Sequence, residues 1–363
     1  AKQHFELSKK ILKKCNIKIE FLTGKTEPKL RRKILNHLEN GEIELLIGTH
    51  SLFQKKINFK KLGLVVIDEQ HKFGVKQRSE LANKGGNNCD VLLMSATPIP
   101  RTMMMSLYGD MDISKITEKP SGRKKILTLS KPEKKISELW PFLRKQINTN
   151  NQIFWVCPLI EDSNFFDYSS VKKKFDIISK IFPNKVGLIH GGLEKKEKEI
   201  VLNKFLQKKI FILVSTTVIE VGIDFPDANL IVIENANKFG LAQLHQLRGR
   251  VGRGDKQGTC ILLFKESLSK NAIKRIKILK DSDDGFFIAE EDLKLRGHGD
   301  LIGYQQSGIK NFRFADPIIH EDLFKLAEVY VKNIRENINY NYSFLLKLFD
   351  KAEIINFEKT NQY

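Results

Sequence analysis

Two adjacent carboxylates, Asp68 and Glu69, close the apolar run "LGLVVIDEQH" at residues 62–71. Such a run predicts a buried parallel strand, and open α/β sheets bind their ligands at the carboxyl ends of strands. Asp68 could hold Mg²⁺ through water, because Mg²⁺ gives up its hydration shell reluctantly. Glu69 could then orient and deprotonate a water that attacks a γ-phosphate. The same pair also fits an ordinary acidic turn at a strand end, so these residues alone leave both interpretations open.

Two arginines, Arg250 and Arg253, lie three residues apart in the glycine-spaced stretch "QLRGRVGRG" at 246–254. A planar guanidinium binds phosphate oxygens through two parallel hydrogen bonds, and flanking glycines let the backbone approach closely. Arginines that reach from a second domain into a nucleotide would act as arginine fingers. The alternative, a solvated basic loop, does not explain the glycine spacing, so the stretch favours phosphate contact.

Two further motifs follow predicted strands and carry small polar side chains. In "SATPIPRT" (95–102) the hydroxyls of Ser95 and Thr97 would lie near the same sheet edge, although a turn around the two prolines is the alternative. The stretch "STTVIEVGIDFP" (215–226) could couple nucleotide to nucleic acid, or form a simple crossover between strands. Its candidate residues are Thr216, Thr217, Glu220, Gly222 and Asp224.

The stretch "FLTGKTEP" (21–28) resembles the end of a phosphate-binding P-loop, with a strand predicted before it and a helix after it. The pattern G-x-x-x-x-G-K-[ST] requires its first glycine at position 19, which is Ile19. Without that glycine the chain does not easily make the turn that points successive N–H groups at a phosphate. We therefore interpret the stretch as a look-alike of a P-loop.

The elements that position these motifs alternate between short apolar runs and helical patterns, which predicts an α/β fold with two tandem parallel-sheet domains. "EKPSGRKK" at 118–125 breaks the pattern and predicts a linker. Two helices and a glycine-rich stretch follow the second domain. The expected boundaries are 1–118 for a first domain, 119–132 for a linker, 133–265 for a second domain, 266–310 for a helical hairpin and loop, and 311–363 for a helical tail.

Composition narrows the class of partner. The 363 residues carry a formal net charge of +19, which favours a polyanion such as nucleic acid, although the lysines are spread evenly and coding bias is the alternative. The sequence has no apolar run of membrane-spanning length and no signal-peptide core. Its four cysteines form no C-x-x-C pair, which argues against zinc and disulfides and predicts a cytoplasmic protein.

In combination, the motifs are those of superfamily 2 helicases, in which two RecA-like domains clamp ATP. The stretches "IGTHSLFQ", "LVVIDEQHKFGVKQR", "FGLAQLHQLRGRVGRG" and "DLKLRGHGDLIGYQQSG" resemble the RecG family of branch-migration helicases. Transcription-repair coupling factor shares most of this pattern but usually has Glu where Gln70 stands, so Gln70 and "FWVCPLIEDS" favour the RecG family.

The resemblance implies a site and its ligands. ATP would be hydrolysed with Mg²⁺ linked to Asp68, Glu69 as catalytic base, and Arg250 and Arg253 on the phosphates. Residues implied to couple nucleotide state to movement are Gln70, His71, Ser95, Ala96, Thr97, Gly222, Asp224 and Gln246. Residues implied to contact or move DNA are Gly48, Thr49, His50, Thr216, Thr217, Arg296, Gly297, Gly299 and Gln306. In the register of the family the "TGKT" stretch faces DNA, which implies that Lys25 is a DNA-phosphate contact or a solvated charge.

The implied activity is ATP-driven translocation on duplex DNA that remodels stalled forks and branched recombination intermediates. Implied partners are branched and duplex DNA and single-stranded-DNA-binding protein, for a monomer that contacts no membrane. The family's wedge domain and P-loop would precede residue 1, so we expect a fragment that hydrolyses ATP poorly by itself. A translocase like transcription-repair coupling factor and a DNA-binding module without catalysis are the alternatives.

Overall fold

A computed structural model describes most of the chain, and two compact units divide it. One unit comprises residues 1–99 and 117–308, and the other comprises 100–116 and 309–363. The residues described are 1–54, 56–69, 81, 83–96, 112–118, 120, 122–158, 164–216, 225–300 and 320–336. Only the backbone is described at 83, 87–88, 164–170, 296–300, 321, 324–325, 328, 332 and 334–336.

The N-terminal part of the first unit contains two pairs of parallel strands. Strand β1 pairs with β2 so that Leu22 lies opposite Gly48, and β3 pairs with β4 so that Ile67 lies opposite Leu93. Parallel pairing brings the carboxyl ends of both strands in each pair to one edge. The elements are α1 (Lys2–Ile11), β1 (Ile19–Leu22), α2 (Pro28–Glu39), β2 (Leu45–Gly48), β3 (Leu64–Ile67) and β4 (Asp90–Leu93).

Helix α2 begins at Pro28, a residue favoured in a first turn because its fixed φ suits the helix and it has no N–H to satisfy. It buries Ile34 and Leu38, four residues apart on one face, in a cluster with Leu22 and Ile57. The described part of this region therefore has a core of its own under β1.

Strands β3 and β4 differ from the expectation of burial on both faces. Val65 and Ile67 are buried, whereas Leu64, Val66 and Leu92 are 57%, 51% and 49% exposed. Alternate side chains of a strand point to opposite faces, so one face of this pair packs on the core and the other is open.

A six-stranded sheet dominates the C-terminal part of the first unit, in the order β5-β10-β9-β6-β8-β7 with every pair parallel. Strands β6, β8 and β9 are buried along their whole length, which explains their continuous apolar sequences. The elements are β5 (Leu127–Pro132), α3 (Leu139–Asn148), β6 (Gln152–Val156), α4 (Asn164–Ile181), β7 (Val186–Ile189), α5 (Lys195–Leu206), β8 (Ile212–Ser215), β9 (Ala228–Ile233), α6 (Leu241–Arg248) and β10 (Thr259–Phe264).

Strand β5 lies inside residues 119–132, where the sequence indicates a linker. It pairs with β10 along its whole length, and Thr128 on this strand is buried. Pro120 and Gly122 both precede Ile126, and the residues that follow add an edge strand that ends at Pro132. The irregular part of the connection thus ends earlier than expected.

Two helices follow the sheet: α7 (Lys270–Asp281) and α8 (Gly285–Asp300). Ser269 caps α7 by accepting from the N–H of Ala272, and the Asp284 carboxylate accepts from the N–H of Phe286 at the start of α8. Helix α8 continues through Gly297 and Gly299, so it includes the beginning of the predicted glycine-rich stretch.

Helix α9 (Glu321–Glu336) belongs to the second unit. It carries exposed apolar side chains at Leu323, Leu326 and Tyr330, a spacing that places them on one helical face. Within the described ranges, no helix combines the length and apolar character needed to cross a membrane.

Candidate nucleotide and nucleic-acid site

Asp68 and Glu69 follow β3 directly, and Ser95 and Ala96 follow β4, which pairs with β3 in parallel. The N–H of Met94 donates to the carbonyl of Ile67 at 2.8 Å, which extends the ladder to this edge. The structure therefore brings the predicted acid pair and the predicted Ser-Ala segment to one edge of one sheet, although these residues are 26 or more positions apart in sequence.

The backbone at Glu69 has an unusual conformation. Its φ is +51°, a left-handed value that is uncommon for residues other than glycine, and its N–H donates to Asp68 Oδ1 at 2.9 Å. Asp68 Oδ2 also lies 3.4 Å from His4 Nε2 on α1, and the Asp68 side chain is 48% exposed. The first carboxylate is thus oriented by two neighbours while remaining accessible to a ligand.

Gly48, Thr49 and His50 lie at the carboxyl end of β2, next to the loop that follows β1. A Cβ at position 48 would lie 2.3 Å from the carbonyl oxygen of Leu22, so only glycine fits there. Thr49 and His50 are exposed, and the His50 ring packs edge-on against Phe53. Two exposed polar side chains are therefore held on a rigid sheet end.

The polar groups of the "TGKT" loop form hydrogen bonds within the loop. The N–H of Thr23 donates to Thr26 Oγ1 at 3.0 Å, that of Lys25 to Thr23 Oγ1 at 3.3 Å, and that of Thr26 to the Thr23 carbonyl at 3.2 Å. A P-loop instead points its N–H groups at phosphate. The loop geometry agrees with its interpretation as a look-alike.

Arg250 and Arg253 lie in a turn that follows α6. Arg253 Nε donates to the carbonyl of Gly249 at 3.2 Å, and Arg123 also donates to that carbonyl at 3.3 Å. Gly252 has φ +66°, and a Cβ there would lie 3.0 Å from the Gly258 backbone, so the turn requires glycine at this position. Gln246 lies in the last turn of α6, two residues before that helix ends.

Arg248 was not among the residues selected from the sequence, and its role in this motif is structural. It is 2% exposed, and its guanidinium donates to the carbonyls of Leu279 at 2.6 Å and Ser282 at 2.9 Å. Burial lowers the pKa of Arg248. Arg248 follows Leu247 as the last residue of an apolar-rich helix, and only its partners on α7 distinguish it from the two arginines in the turn.

Thr216 directly follows Ser215, the last residue of β8; Thr216 is 2% exposed and Ser215 is fully buried. It lies at the carboxyl edge of the six-stranded sheet, as the sequence predicts, with its side chain in the interior. Eight of the residues selected from the sequence lie outside the described part of the chain: Gln70, His71, Thr97, Thr217, Glu220, Gly222, Asp224 and Gln306. Arg296, Gly297 and Gly299 lie in the last turns of α8, where the backbone is described.

Two RecA-like parallel-sheet domains, an acid pair at the carboxyl edge of the first and an arginine turn in the second define the core of a superfamily 2 helicase. Family models agree: the DEAD/DEAH box helicase domain matches residues 1–106 and the helicase conserved C-terminal domain matches 134–255. Residues 282–341 match the C-terminal part of domain 3 of the ATP-dependent DNA helicase RecG.

Individual relatives agree with the family models. The ATP-dependent DNA helicase RecG of Thermotoga maritima is 46% identical over 93% of the chain and 43% of that protein. That of Synechocystis is 45% identical over 90% of the chain and 39% of that protein. The structure of RecG bound to a three-way DNA junction superposes with a TM-score of 0.70 at 43% identity, covering 89% of this chain and 41% of that one.

The chain belongs to the RecG family of DNA helicases. It spans less than half the length of the curated relatives it matches.

Proposed function

We propose that this chain forms the motor of an ATP-dependent DNA helicase of the RecG kind. It would translocate on duplex DNA and remodel stalled forks and branched recombination intermediates, in DNA repair and recombination. The likeness to RecG bound to a three-way DNA junction, at 43% identity across 89% of the chain, carries the proposal. The candidate site supplies groups suited to both halves of the reaction, nucleotide hydrolysis and DNA contact.

The acid pair fits Mg²⁺-dependent hydrolysis of ATP. Mg²⁺ in such sites is held largely by substrate phosphates and water, with one or two carboxylates from the protein. The half-exposed carboxylate of Asp68 would hold such an ion through water, and the ion would offset phosphate charge. Glu69 would orient the attacking water and accept its proton. Arg250 and Arg253 would contact the phosphates of ATP.

Residues next to the acid pair, together with residues of the second domain, would couple nucleotide state to movement. We assign this role to Gln70, His71, Ser95, Ala96, Thr97, Gly222, Asp224 and Gln246. Ser95 and Ala96 support it by lying at the same sheet edge as Asp68.

DNA contact would be made mainly to backbone phosphates, because remodelling of forks must tolerate any sequence. Gly48, Thr49 and His50 support this role, since the two side chains are exposed at one sheet end near Lys25. Contact with Lys195, at the start of α5, and repulsion from its charge lower the pKa of Lys25. A phosphate between two such ammonium groups would relieve their repulsion.

Translocation would use the hairpin formed by α7 and α8 and the loop after it, with Arg296, Gly297, Gly299 and Gln306. Thr217 would line the DNA side of the second sheet, whereas the side chain of Thr216 is buried and does not support the DNA contact that the resemblance implies. Action as a monomer in the cytoplasm, together with single-stranded-DNA-binding protein, rests on the resemblance alone.

The test compares the full-length protein with its Glu69→Gln variant on a synthetic three-way junction with ATP and Mg²⁺. The wild type should convert the junction into separated duplexes, and the variant should bind the junction equally well. Its ATP turnover should fall about 10²–10⁴-fold, the usual contribution of general base catalysis. Junction binding without any ATP turnover by the wild type would instead indicate a binding module that does not catalyse.

A further inference from the structure

Helix α6, which ends just before the arginine turn, is held at its N-terminus by α8. Its first residue, Leu241, donates its N–H to Asp292 Oδ1 at 3.2 Å, and Asp292 is 6% exposed. The preceding residue, Gly240, offers no side chain to cap the helix. A buried carboxylate from another helix therefore satisfies an orphan N–H and interacts favourably with the positive end of the helix dipole.

The C-terminus of α6 is held by α7. Arg248, the last residue of α6, donates to the carbonyls of Leu279 and Ser282, which end α7. The guanidinium also bonds to His245 Nδ1 at 2.9 Å and to Thr128 Oγ1 at 3.4 Å. A buried cation with this many partners is stable, and it lies at the negative end of the α7 dipole.

Between these two polar contacts the three helices share one apolar core. Leu244 and Leu247 of α6 pack in the same cluster as Ile276 of α7 and Ile288 of α8. Apolar contact is not directional, so it permits α6 to slide or rotate against the hairpin. The two polar contacts fix the register, because each requires one donor and one acceptor at a defined position.

We infer that Asp292 and Arg248 are positioning residues that make α6 and the α7–α8 hairpin move as one body. The arginine turn starts at Gly249, directly after Arg248, so a shift of Arg250 or Arg253 on the nucleotide displaces α6 and with it the hairpin. Neither positioning residue touches the reacting phosphates. This inference rests on the proposed function, since it names how ATP hydrolysis would reach the translocating element.

The experiment uses the full-length protein and measures junctions processed per ATP hydrolysed. Asp292→Ala removes the acceptor. Arg248→Lys keeps the charge but loses the second guanidinium nitrogen, Nη2, which bonds to His245 while Nη1 donates to both carbonyls. Each should lower this ratio about tenfold, the effect of one buried hydrogen bond left unmade. Asp292→Asn keeps an acceptor for the Leu241 N–H and should restore the ratio. Glu290→Ala and Lys280→Ala change exposed charges of the same hairpin and should leave the ratio unchanged.

A purely structural role would lower ATP turnover and junction processing in equal proportion. The melting temperature would then fall while the number of junctions processed per ATP stayed unchanged, and this result would overturn the inference. Hydrogen exchange supplies a second readout that does not need enzymatic turnover. Addition of a non-hydrolysable ATP analogue with Mg²⁺ should slow exchange in α6 and the hairpin together, and Arg248→Lys should confine the change to α6. If the analogue slowed exchange in α6 of the wild type without slowing it in the hairpin, or the reverse, the inference would also be overturned.

A wild-type protein that processes no junction would refute the proposed function, and the hydrogen-exchange arm would still decide the role of the two residues. If Asp292→Ala does not fold, Arg248→Lys carries the same test.

Discussion

Lys174 Nζ lies 2.6 Å from Glu234 Oε1, an ion pair that joins α4 to the end of central strand β9 inside the second domain. The two side chains are only 18% and 7% exposed. The Cys157 thiol at the end of β6 donates to Glu234 Oε2 at 3.6 Å. Burial, and then the charge of Glu234, raise the pKa of Cys157, which keeps the thiol protonated and suited to donate.

We expect Lys174→Met to destabilise the second domain by about 3 kcal/mol, the low end for a buried ion pair, because removing one partner leaves a carboxylate buried without its countercharge. The double variant Lys174→Met with Glu234→Leu should recover most of this loss. Urea unfolding followed by tryptophan fluorescence measures it selectively, since the chain has two tryptophans and both, Trp140 and Trp155, lie in this domain.

Lys173→Met is the matched control, since Lys173 is an exposed neighbour on α4. It should change stability by less than about 0.5 kcal/mol, as is usual for a surface substitution. A double variant as unstable as Lys174→Met alone would contradict the ion-pair interpretation.

The buried thiol of Cys260 gives the second domain a defined pH dependence. Burial raises the pKa of Cys260 from 9.0 to about 12, so between these values the unfolded chain releases a proton that the folded chain keeps. Stability is therefore complete below about pH 9 and falls as pH rises, by about 1.4 kcal/mol per pH unit for each such thiol. Cys260→Ala should flatten this decline, measured by urea unfolding at several pH values. Cys15→Ala alters an exposed thiol and should leave the decline unchanged. Equal slopes of stability against pH in the wild type, Cys260→Ala and Cys15→Ala would refute the assignment.

Arg253→Ala should lower kcat for ATP about 10³-fold while KM changes little, because arginine fingers act on charge that develops in the transition state. Arg253→Lys should not restore the rate, since an ammonium does not reproduce the planar fork. Steady-state ATP hydrolysis by the full-length protein measures both parameters. An unchanged kcat would place Arg253 outside the catalytic site.

The fold class and the strands of the second domain follow from the sequence, because fully buried parallel strands such as β8 and β9 read as continuous apolar runs. The half-open face of β3 could not be predicted, since Leu64 and Val66 have the same residue types as buried strand positions. Arg248 was missed for a related reason. A sequence shows three arginines within six residues, but only the fold shows that one of them lies under the carbonyls that end α7.

Lys25 separates the two interpretations of the "TGKT" loop. In a P-loop this lysine would contact the β- and γ-phosphates, and its loss would abolish ATP hydrolysis. Because the loop's N–H groups bond within the loop and Lys25 lies next to Lys195, we expect Lys25→Ala to leave kcat for ATP within about twofold and to weaken DNA binding instead. The slope of log Kd against log salt should fall by about one, the value for a lost phosphate contact, at every DNA sequence tested.

Lys25→Arg, which keeps the charge, should retain most of the slope. Loss of ATP hydrolysis with DNA binding intact would restore the P-loop interpretation.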